Sequence, residues 1–336
     1  MKKRAIAVTV LLLLATLVLF LKRDVILSST TPAQRSFNFT YSATVKELPE
    51  GSSTLKFWLP LPLSDSNQTI SDLKITSSSP YRVGSENRYG NSVLFMEVDK
   101  PTNPPLMVEV RFRVTRKEYR KEVANPIKGG SSASSSDMPD TDKYLRSDNM
   151  VPISGKIRDL ALQVTEGKTT PLAKVRAIYD YVTWTLKYDK SGTGWGRGDA
   201  LYACDAKQGN CTDFHSLFIG MVRSVGIPAK FEIGFPVPED QSAGEIAGYH
   251  CWAEFYIKGV GWVPVDSSEA SKNKQKADYF FGTLDVNRVQ FTQGRDLELA
   301  PPQAGKPLNY FVYPYAEVDG KEFSHIARKF SFEDVR

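Results

Sequence analysis

The stretch from Gly209 to Gly226 constrains the fold more than any other part of this 336-residue chain. Phe214, Leu217, Phe218, Met221, Val222 and Val225 recur at the i, i+3, i+4 spacing of one buried helix face. Asn210 is a favourable N-cap, Asp213 suits the positive end of the helix dipole, and Gly226 is a natural stop. A helix bounded in this way places Cys211 at its first position. Unpaired backbone N–H groups and the dipole there favour thiolate over thiol, and can lower a cysteine pKa of roughly 8.5 by one to several units. Most buried cysteines are only small hydrophobes, so the neighbours of Cys211 must decide its role.

Those neighbours are β on the C-terminal side. Lys230 to Phe235 reads as a strand, and Tyr249 to Ile257 and Trp262 to Asp266 as a hairpin turning through Lys258-Gly259-Val260-Gly261. One helix ahead of an antiparallel sheet is an α+β arrangement, not a doubly wound one. On the N-terminal side Ile157, Leu160, Ala161 and Val164 form a short amphipathic face. Thr170-Pro171 opens a second helix carrying Leu172, Val175, Ile178, Tyr179, Val182 and Leu186. Trp184 on that helix needs no functional role. The glycine-rich run from Ser191 to Gly198 has neither a G-x-G-x-x-G register after a strand nor a G-K-[ST], and reads as an irregular loop.

Further upstream, residues 37–120 alternate with period two. Phe37, Phe39, Tyr41 and Ala43 set one strand, Leu55 to Pro60 and Val108 to Val114 set others, and Pro49-Glu50-Gly51 and Tyr89-Gly90-Asn91 mark turns. A small β-sandwich of immunoglobulin-like size is expected. Residues 121–150, with the low-complexity run Gly129 to Ser136, are expected to be a flexible linker before a core spanning 151–290. Residues 291–336 are expected to extend that core with further strands.

The formal charge of +5 is carried entirely by Lys2, Lys3, Arg4, Lys22 and Arg23, so the remainder is balanced and offers no basic stripe to nucleic acid. Between those charges Ala5 to Leu21 is mostly apolar. Residues 1–23 read as an uncleaved signal-anchor and 24–36 as a stalk, with the rest of the chain outside the cytoplasm; a cleaved export signal is the alternative. Three cysteines are too few for a disulfide scaffold, and an odd number outside the cytosol leaves at least one thiol unpaired.

There are also only three histidines. His325 lies in a polar tail and reads as a surface residue. His215, four residues after Cys211, is within reach of the thiol but reads more simply as a partly buried residue on the helix flank. His250 lies on the hairpin among large aromatic residues. If the turn is centred on Lys258, position 250 stands opposite 266, where same-face Cβ atoms are roughly 4.5–5.5 Å apart. Asp266 could then orient one imidazole nitrogen while the other faces whatever packs over the strand; a bulge at Gly259 or Gly261 would shift the register. With Cys211 these make a nucleophile, base and orienter set. Two other readings stay open. A zinc site from Cys204, Cys211, His250 and Cys251 lacks a knuckle spacing and needs adjacent strand residues that point to opposite faces. A Cys204–Cys211 disulfide would silence the nucleophile or act as a redox latch.

Four segments resemble the transglutaminase-like family of papain-like cysteine enzymes: Gly209-Asn210-Cys211-Thr212-Asp213, Arg223 to Ala229, His250-Cys251-Trp252-Ala253-Glu254 and Gly261 to Asp266. The likeness covers about 155–290 in the order Cys, His, Asp. Trp58-Leu59-Pro60-Leu61-Pro62 resembles the β domain that often precedes bacterial members. The resemblance implies a papain-like core in which a Cys-bearing helix packs on an antiparallel sheet. It implies catalysis by Cys211, His250 and Asp266 on a protein or peptide substrate, through a thioester resolved by water or by a lysine-like amine; the residues themselves point to no cofactor or metal, and no calcium loop of the D-x-[DN]-x-[DN]-G kind is present. The backbone N–H of Cys211 is one expected oxyanion donor and Trp195 the candidate for the other. The alternative is a catalytically silent, membrane-tethered binding or scaffold module of the same fold.

Overall fold

Period-two alternation sets the first element. Along β1 (Gln34–Val45) the side chains of Phe37, Phe39, Tyr41, Ala43 and Val45 point inward and are buried, while their neighbours face outward. The computed structural model describes residues 32–101, 106–122 and 141–335. The expected signal-anchor, most of the stalk and most of the linker lie outside the described residues. Among the described residues no helix is long and apolar enough to cross a membrane.

After β1 come β2 (Thr54–Leu61), β3 (Gln68–Ser77), β4 (Arg82–Ser85), β5 (Ser92–Asp99), β6 (Leu106–Lys117) and β7 (Tyr119–Arg120). The helices α1 (Lys156–Val164) and α2 (Pro171–Thr185) follow, α2 capped by Thr170 Oγ1 with proline at its start as its sequence requires. Then come β8 (Lys187–Tyr188), α3 (Ala200–Ala206), β9 (Gln208–Gly209) and α4 (Cys211–Ser224). The chain continues through β10 (Ala229–Pro236), β11 (Ala243–Glu245), β12 (His250–Ile257), β13 (Gly261–Val265) and α5 (Ser267–Lys272). It closes with β14 (Thr283–Leu284), β15 (Arg288–Gln293), β16 (Tyr315–Val318), β17 (Lys321–Glu322) and β18 (Ile326–Asp334).

The central sheet has the order β13-β12-β10-β15, all antiparallel, with α4 lying against β12 and β10. The fold is therefore α+β. A β-bulge at Ile233/Gly234 lets β10 and β15 approach so closely that a Cβ on Gly234 would fall 1.8 Å from the Val289 carbonyl oxygen. Phe235 and Phe291 of this sheet pack against Phe39, Tyr41 and Phe112, so one continuous apolar core joins it to the N-terminal β layers.

Those layers are two five-stranded sheets, β11-β18-β1-β6-β3 and β17-β16-β2-β5-β4. They correct the expected boundaries. Beyond β15, the C-terminal segment does not extend the central sheet: β18 pairs with β1, Phe332 opposite Phe39, and β16 pairs with β2, Tyr315 opposite Trp58. Nor is the sandwich contained in 37–120, since β1 begins at Gln34 inside the expected stalk. The reason is physical. β1 and β2 would otherwise be open edges with unpaired N–H and C=O groups, and Phe330 brings an aromatic face that meets Tyr41 at 4.7 Å and Phe235 at 4.3 Å between ring centroids.

Candidate functional site

Helix α4 starts where its sequence predicts. The Asn210 side chain accepts from the Thr212 backbone N–H at 2.9 Å, and Asp213 accepts in return from the Asn210 N–H at 2.9 Å, closing a capping box. Gly209 is obligatory here: its φ is +153°, and a Cβ would lie 2.4 Å from an Asp213 carboxylate oxygen. The same carboxylate gathers the glycine-rich loop, accepting from Gly196 N at 2.7 Å and Gly198 N at 3.0 Å. The sequence predicts one buried face, but all of α4 is buried, because α1, α2 and α3 pack around it in addition to the sheet.

Cys211 is 2% exposed at the head of this helix, and the side chains of His250 and Cys251 both act on its titration. Burial alone would raise its pKa. The bonds from Cys251 and His250 and the charges of two imidazoles outweigh burial and hold the thiol well below its usual value. His250 opens β12, and its Nε2–H donates to Asp266 Oδ2 at 2.7 Å. Its remaining nitrogen, Nδ1, is thus the one available to sulfur. Burial disfavours the imidazolium, but Asp266 first and Cys211 second raise His250 to about 10.

The sequence brings this pair together by a register that the hairpin does not have. Ile257 pairs with Gly261 and Ala253 with Val265, so the turn is centred on Gly259 and the register extends to place Asp266 beside Trp252. Asp266 reaches His250 because it has left the ladder to cap α5, where Oδ1 accepts from Glu269 N at 3.0 Å and from Ser268 Oγ at 3.0 Å. Arg288 Nη1 also donates to Asp266 Oδ2, at 3.0 Å. Burial would raise this carboxyl, but His250, Arg288 and His215 hold it well below the usual range.

The other candidates resolve as follows. His215 is fully buried under the site: Nδ1–H donates to the Cys211 carbonyl at 2.8 Å and lies 3.5 Å from Cys251 Sγ, while Nε2 stands 3.6 Å from Asp266 Oδ1 without a hydrogen-bond partner. Burial lowers its pKa. His325 is exposed beside Phe323. Cys204, Cys211 and Cys251 are all free thiols, so Cys204 forms no disulfide with Cys211 in this structure. Cys251 is raised well above its usual value by burial and then by Cys211. Trp195 is displaced as an oxyanion donor, since its indole N–H is spent on the Gly192 carbonyl at 3.2 Å.

Sequence reasoning missed Tyr188 and Arg288. Tyr188 pairs with Gly209 in the short parallel β8–β9 ladder, and its ring lies 6.1 Å from Phe214. Burial, then the charges of Cys211 and Cys251, push its phenol up. The signal was an aromatic residue between a helix end and the glycine-rich loop, which is weak. Arg288 carries no local signal; it is 2% exposed on β15 and is brought to Asp266 by the sheet.

A second buried cluster follows along β12. Lys230 Nζ lies 2.8 Å from Glu232 Oε1 and 3.3 Å from Glu254 Oε2, and Trp252 Nε1–H donates to Glu232 at 2.6 Å. Burial, then Glu232, push Glu254 up to about 8.

Residues 158–267 match the transglutaminase-like superfamily core. The chain is 28% identical to an uncharacterized protein of Haemophilus influenzae over 323 residues, 84% of this chain and 85% of that one. It is 26% identical over 147 residues to the uncharacterized Bacillus subtilis protein YebA, covering 40% of this chain and 20% of that longer protein. A solved structure from Cytophaga hutchinsonii, described as a candidate cysteine protease, shares the fold at a TM-score of 0.57 and 16% identity, over 90% of this chain and 92% of that one. This chain carries a transglutaminase-like core domain in residues 158–267.

Proposed function

We propose that the protein is a cysteine-dependent acyl-transfer enzyme acting on amide bonds of protein or peptide substrates. One observation carries the reading: a buried thiol at a helix N-terminus meets an imidazole whose far nitrogen is bound to a buried, ionised carboxylate. Cys211 thiolate attacks the acyl carbon, and electrons move onto the carbonyl oxygen. The Cys211 backbone N–H, which has no intrahelical acceptor at this position, and the Tyr188 hydroxyl are the donors for that oxyanion. His250, as imidazolium, passes the Nδ1 proton to the leaving amine while Asp266 keeps the ring oriented. A thioester remains on Cys211, and water or a primary amine then resolves it with His250 taking the proton back.

The N-terminal basic and apolar run supports tethering to a membrane with residues 34–335 on its outer side. Full-length protein and a Cys211→Ala variant should be compared for incorporation of a labelled amine and for peptide hydrolysis on cell-envelope proteins. Activity in either assay that is lost in the variant is expected. Equal behaviour of both proteins in both assays sinks the acyl-transfer reading in favour of a binding or scaffold module.

A further inference from the structure

Arg288 is fully enclosed and forks between two carboxylates. Nη1 donates to Asp266 Oδ2 at 3.0 Å, Nη2 donates to Asp285 Oδ2 at 2.9 Å, and the guanidinium lies 4.9 Å from the Trp252 ring centroid. The Asp266 oxygen it binds is the one that accepts from His250. A guanidinium cannot give up its proton in this range, so this is a fixed positive charge one carboxylate away from the imidazole. We propose that Arg288 is a positioning residue that keeps Asp266 ionised and aimed at His250, and that its charge sets the pH range over which the Cys211–His250 ion pair exists.

The proposal rests on the acyl-transfer reading for the roles of Cys211 and His250, but its readout needs no substrate. Two effects follow from the shared oxygen. Arg288 competes with the imidazolium for Asp266, which makes His250 easier to deprotonate. Its positive potential also stabilises the thiolate beyond the ring. Removing it therefore moves both titrations upward in pH. The other titratable groups around the pair are Glu269 of α5, with Oε1 3.8 Å from His250 Nε2, His215 of α4, Cys251 of β12, and the phenols of Tyr188 and Tyr249. Asp285 and Arg116 face Arg288 itself. Asp285 opposes it: neutralising Asp285 leaves more of the guanidinium charge uncompensated and moves both titrations downward.

The test is the rate of Cys211 alkylation by iodoacetamide across pH, read by peptide mass spectrometry on the full-length protein so that Cys204 and Cys251 are scored apart. Arg288→Met should raise the pH of the thiolate transition by about one unit, and Arg288→Lys should return most of that shift. Asp285→Asn, which leaves the Arg288–Asp266 bond in place and is the milder change, should lower it. Transitions that stay at the wild-type pH in Arg288→Met, with the rate merely scaled, leave Arg288 a packing residue and overturn the proposal. Should Arg288→Met fail to fold, an unmoved or raised transition in Asp285→Asn overturns it equally. Loss of the acyl-transfer reading would appear in the amine-incorporation and hydrolysis assays and leave these alkylation profiles as they are.

Discussion

Two buried ionic clusters lie along the same strand, β12, and differ in how their carboxylates are partnered. At the His250 end one carboxylate, Asp266, is shared by two basic side chains, His250 and Arg288. In the middle one ammonium, Lys230, is shared by two carboxylates, Glu232 and Glu254. Trp252 stands between them, donating to Glu232 and lying under Arg288. Both clusters are dry, so burial disfavours every charge in them. With both His250 and Arg288 donating to its Oδ2, Asp266 stays ionised well below the usual range. With carboxylates in excess, one of them retains a proton, and Glu254 rises to about 8. The donors directly bound to each carboxylate, rather than its depth, separate the two ends.

Breaking the His250 end should have the largest consequence. Asp266→Asn keeps the shape but cannot hold His250 in the imidazolium state, and should lower kcat by about 10³–10⁴-fold. Circular dichroism should show the fold retained. A loss below about tenfold would mean that Asp266 only packs.

Tyr188→Phe removes one proposed oxyanion donor without changing ring volume, and should lower kcat by about 10²-fold with KM little altered. A change confined to KM would remove the hydroxyl from the transition state and leave it a substrate contact.

The carboxylate-rich end should answer in stability. Lys230→Met leaves two buried carboxylates without their cation and should cost about 3–5 kcal/mol in urea unfolding at pH 8. The cost should shrink at pH 5, where both carboxylates take up protons.

A smaller effect tests the proton on Glu254. Its folded pKa, about 8, lies above the usual 4.5. The contribution of the protonated form is therefore complete below 4.5 and is lost as pH rises through 8. Glu254→Gln should flatten the decline in stability between pH 5 and 8.5 relative to wild type, read as the shift in urea midpoint. A steeper decline in the variant would reverse the assignment. Smallest of all, Trp195→Phe should change kcat by no more than about twofold, since its indole N–H serves only the Gly192 carbonyl.

Much of the site was legible because its signals are local. A cap, a capping partner and a stop surround Cys211 within a few residues, and the helix they describe runs from Cys211 to Ser224. The link from His250 to Asp266 was legible for a partly wrong reason. Direct cross-strand pairing was expected, but the hairpin turns one residue later, and Asp266 makes the contact from the cap of α5. Arg288 could not be read, because a lone arginine on a strand has no periodic signature. Which carboxylate it meets depends on the order β13-β12-β10-β15. The same limit explains the misplaced C-terminus. The alternation in β18 is visible, but an alternating strand fits the edge of any sheet whose open side it can pair.

By itself the sequence determined the α+β class, the helix start beneath Cys211, and the three residues, Cys211, His250 and Asp266, to which the proposed roles of nucleophile, base and orienter are given. Tertiary structure alone decided that β16 and β18 close the N-terminal sheets, that Tyr188 pairs with Gly209 just ahead of the Cys211 helix, and that Asp266 is shared with Arg288. Caps, turns and periodicity act within a few residues and are written locally. The pairing of sheet edges and the balance of buried charge depend on segments up to about 300 residues apart, joined only when the apolar faces close.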